Sequence, residues 1–198
     1  MMPISPPSGR LLLAPQPVDA APNCQKLQFE LQALGLLGTQ LTRSACDDTQ
    51  PIAFTCGEQF FHFIAFTGCA VQLPNTSTTA ATVPPCHLQL AGPTTHPRFF
   101  SGFNTRPPRC PVCGKAAIDW QQQIINWLEN DNKPLLRCAA CDYYQPGWQW
   151  QWGHHAGFGR VILSVEAIFP GEVMPLPALF MQLKTLTGYQ WHWFSVSN

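Results

Sequence analysis

The chain is poor in charge. Only 11% of its 198 residues are Asp, Glu, Lys or Arg, and the two signs cancel at 11 each. Such a balance gives no whole-molecule attraction for a polyanion or an acidic lipid surface, so any recognition of nucleic acid has to be local. Long apolar runs are missing too. The best early one, Leu11 to Ala14, falls far short of the roughly 18 apolar residues a membrane helix needs, and it is also too short for the core of a signal peptide. The expectation is a soluble, cytoplasmic protein with no membrane partner. Internal repeats are absent beyond the matched dipeptides Gly57-Glu58 and Gly171-Glu172, which turns recruit readily.

What is present in excess is proline: 20 residues, roughly twice the usual share of about 5%, favours a loop-rich α+β chain over a helix bundle. The length suits one sizeable core with a small additional module. Residues 1–9 read as a loose tail and Arg10 to Ala14 as a short strand. From Pro22 the apolar positions Leu27, Leu31 and Leu34 share a helical face, and Gly35 and Gly38 mark its stop. After the turn-rich SACDDTQP, the runs IAFT and FFHFIAF, separated by CGEQ, read as a hairpin whose second strand is apolar on both faces. The Pro- and Thr-rich segment from Pro74 to Pro108 reads as a surface crossing, with a short helix or strand near Cys86 to Leu90. GWQWQWG has the alternation of a strand with one apolar face. RVILSVEAIF is a strand, PGEVMPLP a turn, LPALFMQLKTLTG an amphipathic helix with Pro177 in its first turn and Gly188 at its end, and YQWHWFSV a closing strand.

Nine cysteines is an odd number, and four of them form two Cys-x-x-Cys pairs, Cys110/Cys113 and Cys138/Cys141, separated by 24 residues. Each pair can aim two sulfurs at one point, and two such turns complete a tetrahedron. In CPVCG, Pro111 stiffens the bend and Gly114 can take the positive φ that lets the chain turn away. This stretch resembles the zinc-ribbon and rubredoxin-like knuckle families over about 32 of the 198 residues, with the four cysteines matching the ligand positions. CAACD carries Asp142 where those families commonly have a second glycine. The resemblance implies one bound Zn2+, with iron as the alternative that would make an electron carrier. A thioredoxin-like dithiol fits less well, because CPVC follows RPPR and not a buried strand, and the second pair would have no purpose. Four thiolates leave no open coordination position, so the ion is expected to be a staple for a module too small to hold itself together.

Other residues carry weaker signals. His154 and His155 adjoin the module and read as a polar turn. Cys24, Cys46, Cys56, Cys69 and Cys86 show no ligand spacing and read as inert core thiols. Glu166, Glu172 and His192 have no spacing that demands an acid/base set. Arg98, Arg106, Arg109 and Lys115 put four positive charges into residues 98–115 beside Phe99, Phe100 and Phe103, a mixture that can track a phosphate backbone while rings stack on bases. Acidic Asp119, Glu129, Asp131 and Asp142 follow, and the rings also suit anchoring of a Pro-rich loop. Seven tryptophans are present, five between Trp120 and Trp152. Exposed, Trp148, Trp150 and Trp152 would make a protein-contact surface; covered, they would dock the cysteine module on the main sheet, the preferred reading.

These observations predict an α+β fold: a mixed sheet with helices packed on it, in ferredoxin-like halves, and an inserted zinc ribbon. The expected division is 1–103, an N-terminal α+β part; 104–152, the ribbon; and 153–198, a strand, helix and strand completing the main domain. The leading functional reading is a non-enzymatic zinc-containing binding or adaptor protein that engages another protein. Nucleic-acid binding through residues 98–115 is second, and an electron carrier or enzyme comes last.

Overall fold

The computed structural model describes residues 9–41, 50–67, 86–130, 135–169 and 171–197, side chains of 126–130 excepted. Residues 1–8, Cys46, Cys69, Asp131 and most of SACDDTQP lie outside the described residues. In chain order the elements are β1 (Gly9–Gln16), α1 (Cys24–Ala33), β2 (Leu37–Gln40), β3 (Ile52–Cys56), α2 (Phe60–Phe63), β4 (Ile64–Phe66), β5 (His87–Ala91), β6 (Arg98–Phe100), α3 (Trp120–Asn130), β7 (Leu135–Arg137), β8 (Tyr144–Pro146), β9 (Gly157–Gly159), β10 (Ile162–Ile168), β11 (Val173–Pro175), α4 (Pro177–Thr187) and β12 (Gln190–Ser197). The class is α+β. Six strands form the main sheet in the order β12-β1-β10-β5-β3-β2. Every pairing in it is antiparallel, so the sheet is not mixed as expected. Two helices carry crossovers within it: α1 takes the chain from β1 to β2 at the far edge, and α4 links β10 to β12 over β1, which fills the gap and runs opposite to both.

Strand alternation gives the sheet two different faces. On one, Leu11, Leu13, Phe54, Leu88, Leu90, Leu163 and Val165 meet Leu27 and Leu31 of α1, Phe60 and Phe63 of α2, and Leu179 and Leu183 of α4. Helix α1 starts where the Asn23 side chain accepts from the Lys26 N–H at 2.9 Å and ends before Gly35 at φ 71°. Helix α4 runs from Pro177 to a left-handed Gly188, as its sequence predicts. On the other face, Leu12, Ala14, Ile162, Phe194 and Val196 form a smaller cluster with Phe100 packed against it.

Two segments depart from the sequence reading. FFHFIAF is no hairpin strand: the Gly57 N–H bonds to the Leu36 carbonyl, one helical turn seats Phe60 and Phe63 in the core, and only Ile64–Phe66 is extended, paired with β11. An all-apolar run satisfies a three-residue spacing as well as a two-residue one, so its period was uninformative. A Cβ on Gly57 would run into the backbone of Gly35, which fixes this close approach. The second is β5: a strand does form near Cys86 to Leu90, one of the two forms expected there, but it lies inside the sheet between β10 and β3 and not on a surface crossing.

A ribbon of β6 and β9 covers the second face, and its sequence shows why. Gly157 and Gly159 lie so close to the sheet that a Cβ at the first would strike the Phe194 ring and at the second would stand 2.9 Å from the Ala14 methyl. Phe158 between them points the other way, into a third cluster with Phe99, Trp120, Ile124, Leu136, Trp150, Trp152 and two of the paired cysteines. Phe99 and Phe100, adjacent on β6, thus hold two different cores. No helix among the described residues is long and apolar enough to cross a membrane. Phe54 is fully buried at the centre of the main core, and Phe54→Ala should cost about 3–5 kcal/mol in urea unfolding, without altering metal content.

Candidate metal centre

Each cysteine pair sits in a tight bend, and the two bends are the same structure repeated 28 positions apart. In the first, the Cys110 N–H donates to the Lys115 carbonyl at 2.8 Å and the Gly114 N–H to the Cys110 carbonyl at 2.9 Å. In the second, the Cys138 N–H donates to the Tyr143 carbonyl at 2.8 Å and the Asp142 N–H to the Cys138 carbonyl at 2.9 Å. The flanks pair alike, Arg109 with Ala116 and Arg137 with Tyr144. Gly114 has φ 70° and Asp142 φ 57°, so aspartate takes over the left-handed position that glycine holds in the other bend.

An arginine precedes each pair and folds over its bend. Arg109 Nη1 donates to the Gly114 carbonyl at 3.1 Å, whereas Arg137 grips the Asp142 carboxylate through Nε at 3.1 Å and Nη2 at 2.9 Å. The departure from glycine at 142 therefore has a local rationale: its carboxylate fixes Arg137 beside the second bend. Four thiolates around a divalent ion would remain anionic, and of the two guanidiniums only that of Arg109 is not already paired with a carboxylate.

The four sulfurs all lie within 4.8 Å of one another, the only group of three or more His, Cys, Asp or Glu ligand atoms so placed among the described residues. Cys110 and Cys141 Sγ are 3.6 Å apart, Cys113 and Cys138 Sγ 3.5 Å. A tetrahedron with metal–sulfur bonds of about 2.3 Å has edges of about 3.8 Å. The sulfurs are thus nearly at liganding distance from a common centre. The Ala140 N–H, ahead of desolvation opposing it and the Cys141 N–H assisting it, holds the Cys138 thiol down to about 7. At Cys141 the Tyr143 N–H is the largest influence and lowers the pKa; desolvation and shared protons with Cys113, Cys110 and Cys138 outweigh it and push the thiol up to about 12. A divalent cation bound there would take the place of the protons the sulfurs share.

Helix α3, which the sequence reading left unassigned, joins the two bends. Trp120 and Ile124 are buried on its inner face, and Gln123 ties it down by accepting from the Arg137 N–H at 3.1 Å. Its signal was the i, i+4 spacing of Trp120 and Ile124 in a glutamine-rich stretch. GWQWQWG is not a strand: Gly147–Gln149 form a 3-10 turn, Gln151 bridges Arg109, and Trp150 and Trp152 are buried. Trp152 Nε1 donates to the Gly147 carbonyl at 2.7 Å, its ring meets Phe99 at 4.8 Å and Trp120 at 5.3 Å, and Trp148 packs against Phe158. Trp150 and Trp152 are thus buried, and Trp148 partly so, in a cluster that joins the module to Phe99 and Phe158 of the β6–β9 ribbon.

The basic set is divided. Arg106, Arg109 and Lys115 are exposed around the first bend, but Arg98 lies on β6 and lines a pocket over the main sheet. Phe99 and Phe100 are core anchors, and Phe103 alone of the three rings is free, at 91% exposure. His154 stacks on Trp193 at 4.0 Å and its Nδ1 meets the Trp193 carbonyl, while His155 accepts the Thr105 hydroxyl through its carbonyl; neither joins the sulfurs. Burial first, and Arg106 second, push the His155 pKa down. Cys24 and Cys86 are buried as expected. Cys56 and Cys86 interact across the β3–β5 register: the Cys86 partner, ahead of burial, raises Cys56, and the same bond lowers Cys86, so Cys56 keeps the proton.

Removing the metal with a chelator should shift tryptophan emission to the red, because Trp120, Trp150 and Trp152 share a core with Cys110 and Cys138. Cys138→Ser should weaken metal binding by more than the roughly 10- to 100-fold typical of losing an outer partner, measured by chelator competition. Asp142→Gly should stay within about 0.5 kcal/mol of the parent, since easier backbone geometry offsets an exposed ion pair, whereas Asp142→Val should cost about 1–2 kcal/mol in thermal unfolding. No family model, curated protein or solved structure matches this chain.

Proposed function

We propose that the protein is a non-enzymatic, zinc-containing binding or adaptor protein of the cytoplasm, in which the ion holds a two-bend, ribbon-like module for contact with another protein. The module corresponds to residues 104–152, set between an N-terminal part, 1–103, and a C-terminal strand, helix and strand, 153–198, which complete a ferredoxin-like main domain. Its small core is extended by Phe99, Ala156 and Phe158 from the β6–β9 ribbon. The observation that carries this reading is the convergence of four sulfurs at tetrahedral spacing with two mutually braced bends, which leaves no coordination position for water or substrate. The closed ligand set argues against metal catalysis, and zinc is chosen over iron because all-cysteine zinc sites commonly serve as staples.

The contact with a partner is assigned to side chains other than the tryptophans, because Trp150 and Trp152 are buried and Trp148 is partly so. Apolar side chains that the module leaves open are Val112 at the tip of the first bend, at 69% exposure, and Ile118, Ile125, Leu135 and Tyr144 around α3 and the β7–β8 hairpin. Such residues on a small module favour a protein contact. A second reading, nucleic-acid binding, rests on Arg106, Arg109 and Lys115 standing exposed near the open ring of Phe103.

Purified protein should be colourless with one equivalent of zinc per chain; a red protein with visible absorption would replace the reading by an electron carrier. In affinity capture from nuclease-treated extract, Val112→Ser with Ile118→Ser should lose the partner while keeping zinc content and thermal midpoint. If retention on a polyanion column instead falls with salt and is lost in Arg106→Ala with Arg109→Ala, nucleic acid is the partner.

A further inference from the structure

The second face of the main sheet holds a pocket of about 140 Å³, lined by Arg10, Arg98, Arg160, Gln89, Ser164 and Glu166 over an apolar floor that includes Leu12 and Ile162. At roughly 30 Å³ per water, this is room for about five heavy atoms. The register explains the gathering. Ser164 pairs with Leu12 on one side and Gln89 on the other, so alternate residues of β1, β10 and β5 present one row to the pocket. Beside Arg10 the β1–β10 register slips between Gly9 and Leu11, where Ala167 adopts φ 56°. Bulges of this kind redirect side chains and recur near sites.

Three arginines and one glutamate line the pocket. Among the described residues the ion pair Arg137–Asp142 is the only one, so Glu166 neutralises none of the three by direct contact. Its carboxylate instead accepts the Ser164 hydroxyl, and Ser164 is almost fully buried. Arg10 Nε is buried with no hydrogen-bond partner. A buried donor left unpaired is costly, and an acceptor in the pocket would satisfy it. Arg160 is held rigid, with Nε on the Thr94 carbonyl at 2.6 Å and Nη1 on the Asp19 carbonyl at 3.2 Å, so orienting it for a ligand costs little entropy. Planar guanidinium groups on an apolar floor match an oxyanion better than a neutral molecule or a cation.

We propose that this pocket binds a small oxyanion, the phosphate or carboxylate group of a compact metabolite, with Arg10, Arg98 and Arg160 as its counter-charges. Glu166 sets an upper limit on the ligand's charge and disfavours bulkier polyanions by repulsion. The site is separate from the sulfur cluster and does not depend on the metal reading.

The test is isothermal titration calorimetry of the full-length, metal-loaded chain at low ionic strength, with inorganic phosphate in one arm and succinate in the other. Saturable one-site binding of either anion is expected, and the arm that binds identifies the source of the oxyanion. Affinity should fall at least 10-fold in Arg98→Met, whose exposed side chain can be replaced without disturbing the fold, and in Arg10→Met. It should rise in Glu166→Gln, a change that a purely structural role would not produce. If Arg10→Met fails to fold, Arg98→Met and Glu166→Gln decide. The proposal is overturned if neither anion binds, or if binding is unchanged in Arg98→Met.

Discussion

Mutual repulsion among four crowded sulfurs is the constraint around which the middle of this protein is arranged. The two bends bring Cys110, Cys113, Cys138 and Cys141 together whether or not that is electrostatically comfortable. Backbone N–H groups of the second bend favour thiolate at Cys138, yet at Cys141 the Tyr143 N–H is outweighed by desolvation, and after it by the neighbouring sulfurs, which push the thiol up. A divalent ion held by the four sulfurs would take the place of the shared protons and tie the two bends together. The rest of that module is built to tolerate the resulting anion, with an arginine before each bend and with tryptophan and phenylalanine rings, not charged groups, behind the buried sulfurs.

The main sheet meets a different requirement. One face is sealed by helices and is uniformly aliphatic and aromatic; the other is divided between a small apolar cluster, the β6–β9 ribbon and a polar pocket. The ribbon joins the two halves of the molecule economically. Its glycines let it lie flat on the sheet, and its phenylalanines reach in opposite directions into two cores. Position of the cysteine module relative to the sheet is thereby set by ring packing at Phe99, Phe158 and Trp152, not by the metal.

Where residue pattern and structural requirement coincide, the fold was legible. The i, i+4 spacing of Leu27 and Leu31, the Pro177 and Gly188 ends of α4, and the strands at 162–168 and 190–197 all follow from local sequence, as does the convergence of the four cysteines. FFHFIAF was misassigned because its residues are apolar at every position, so no face is marked. WQWQW alternates like a strand, but Trp150 and Trp152 are drawn inward by a tertiary cluster while Gln149 bonds to nearby Tyr143 and Gln151 bridges distant Arg109. Helix α3 is weakly marked, since in its glutamine-rich first half only Trp120 and Ile124 show the buried face. The pocket was invisible for a deeper reason: Arg10, Gln89 and Ser164 are distant in sequence, and only strand order makes them neighbours. The similarity of the bends beyond their cysteines was also hidden, since Gly114 and Asp142 look dissimilar until their shared backbone conformation is seen.

The placement of β1 between β10 and β12 has a consequence for how the protein is made. A ribosome adds roughly 5–20 residues per second, so the leucines of residues 11–13 emerge about 10 to 35 s before both neighbouring strands exist. During that interval they form a sticky segment with two open edges, the kind of segment a trigger chaperone shields. The cysteine bends, whose backbone hydrogen bonds close within six residues, need none of those late strands to form. The centre of the sheet, by contrast, is complete only once Gln190–Ser197 has been made.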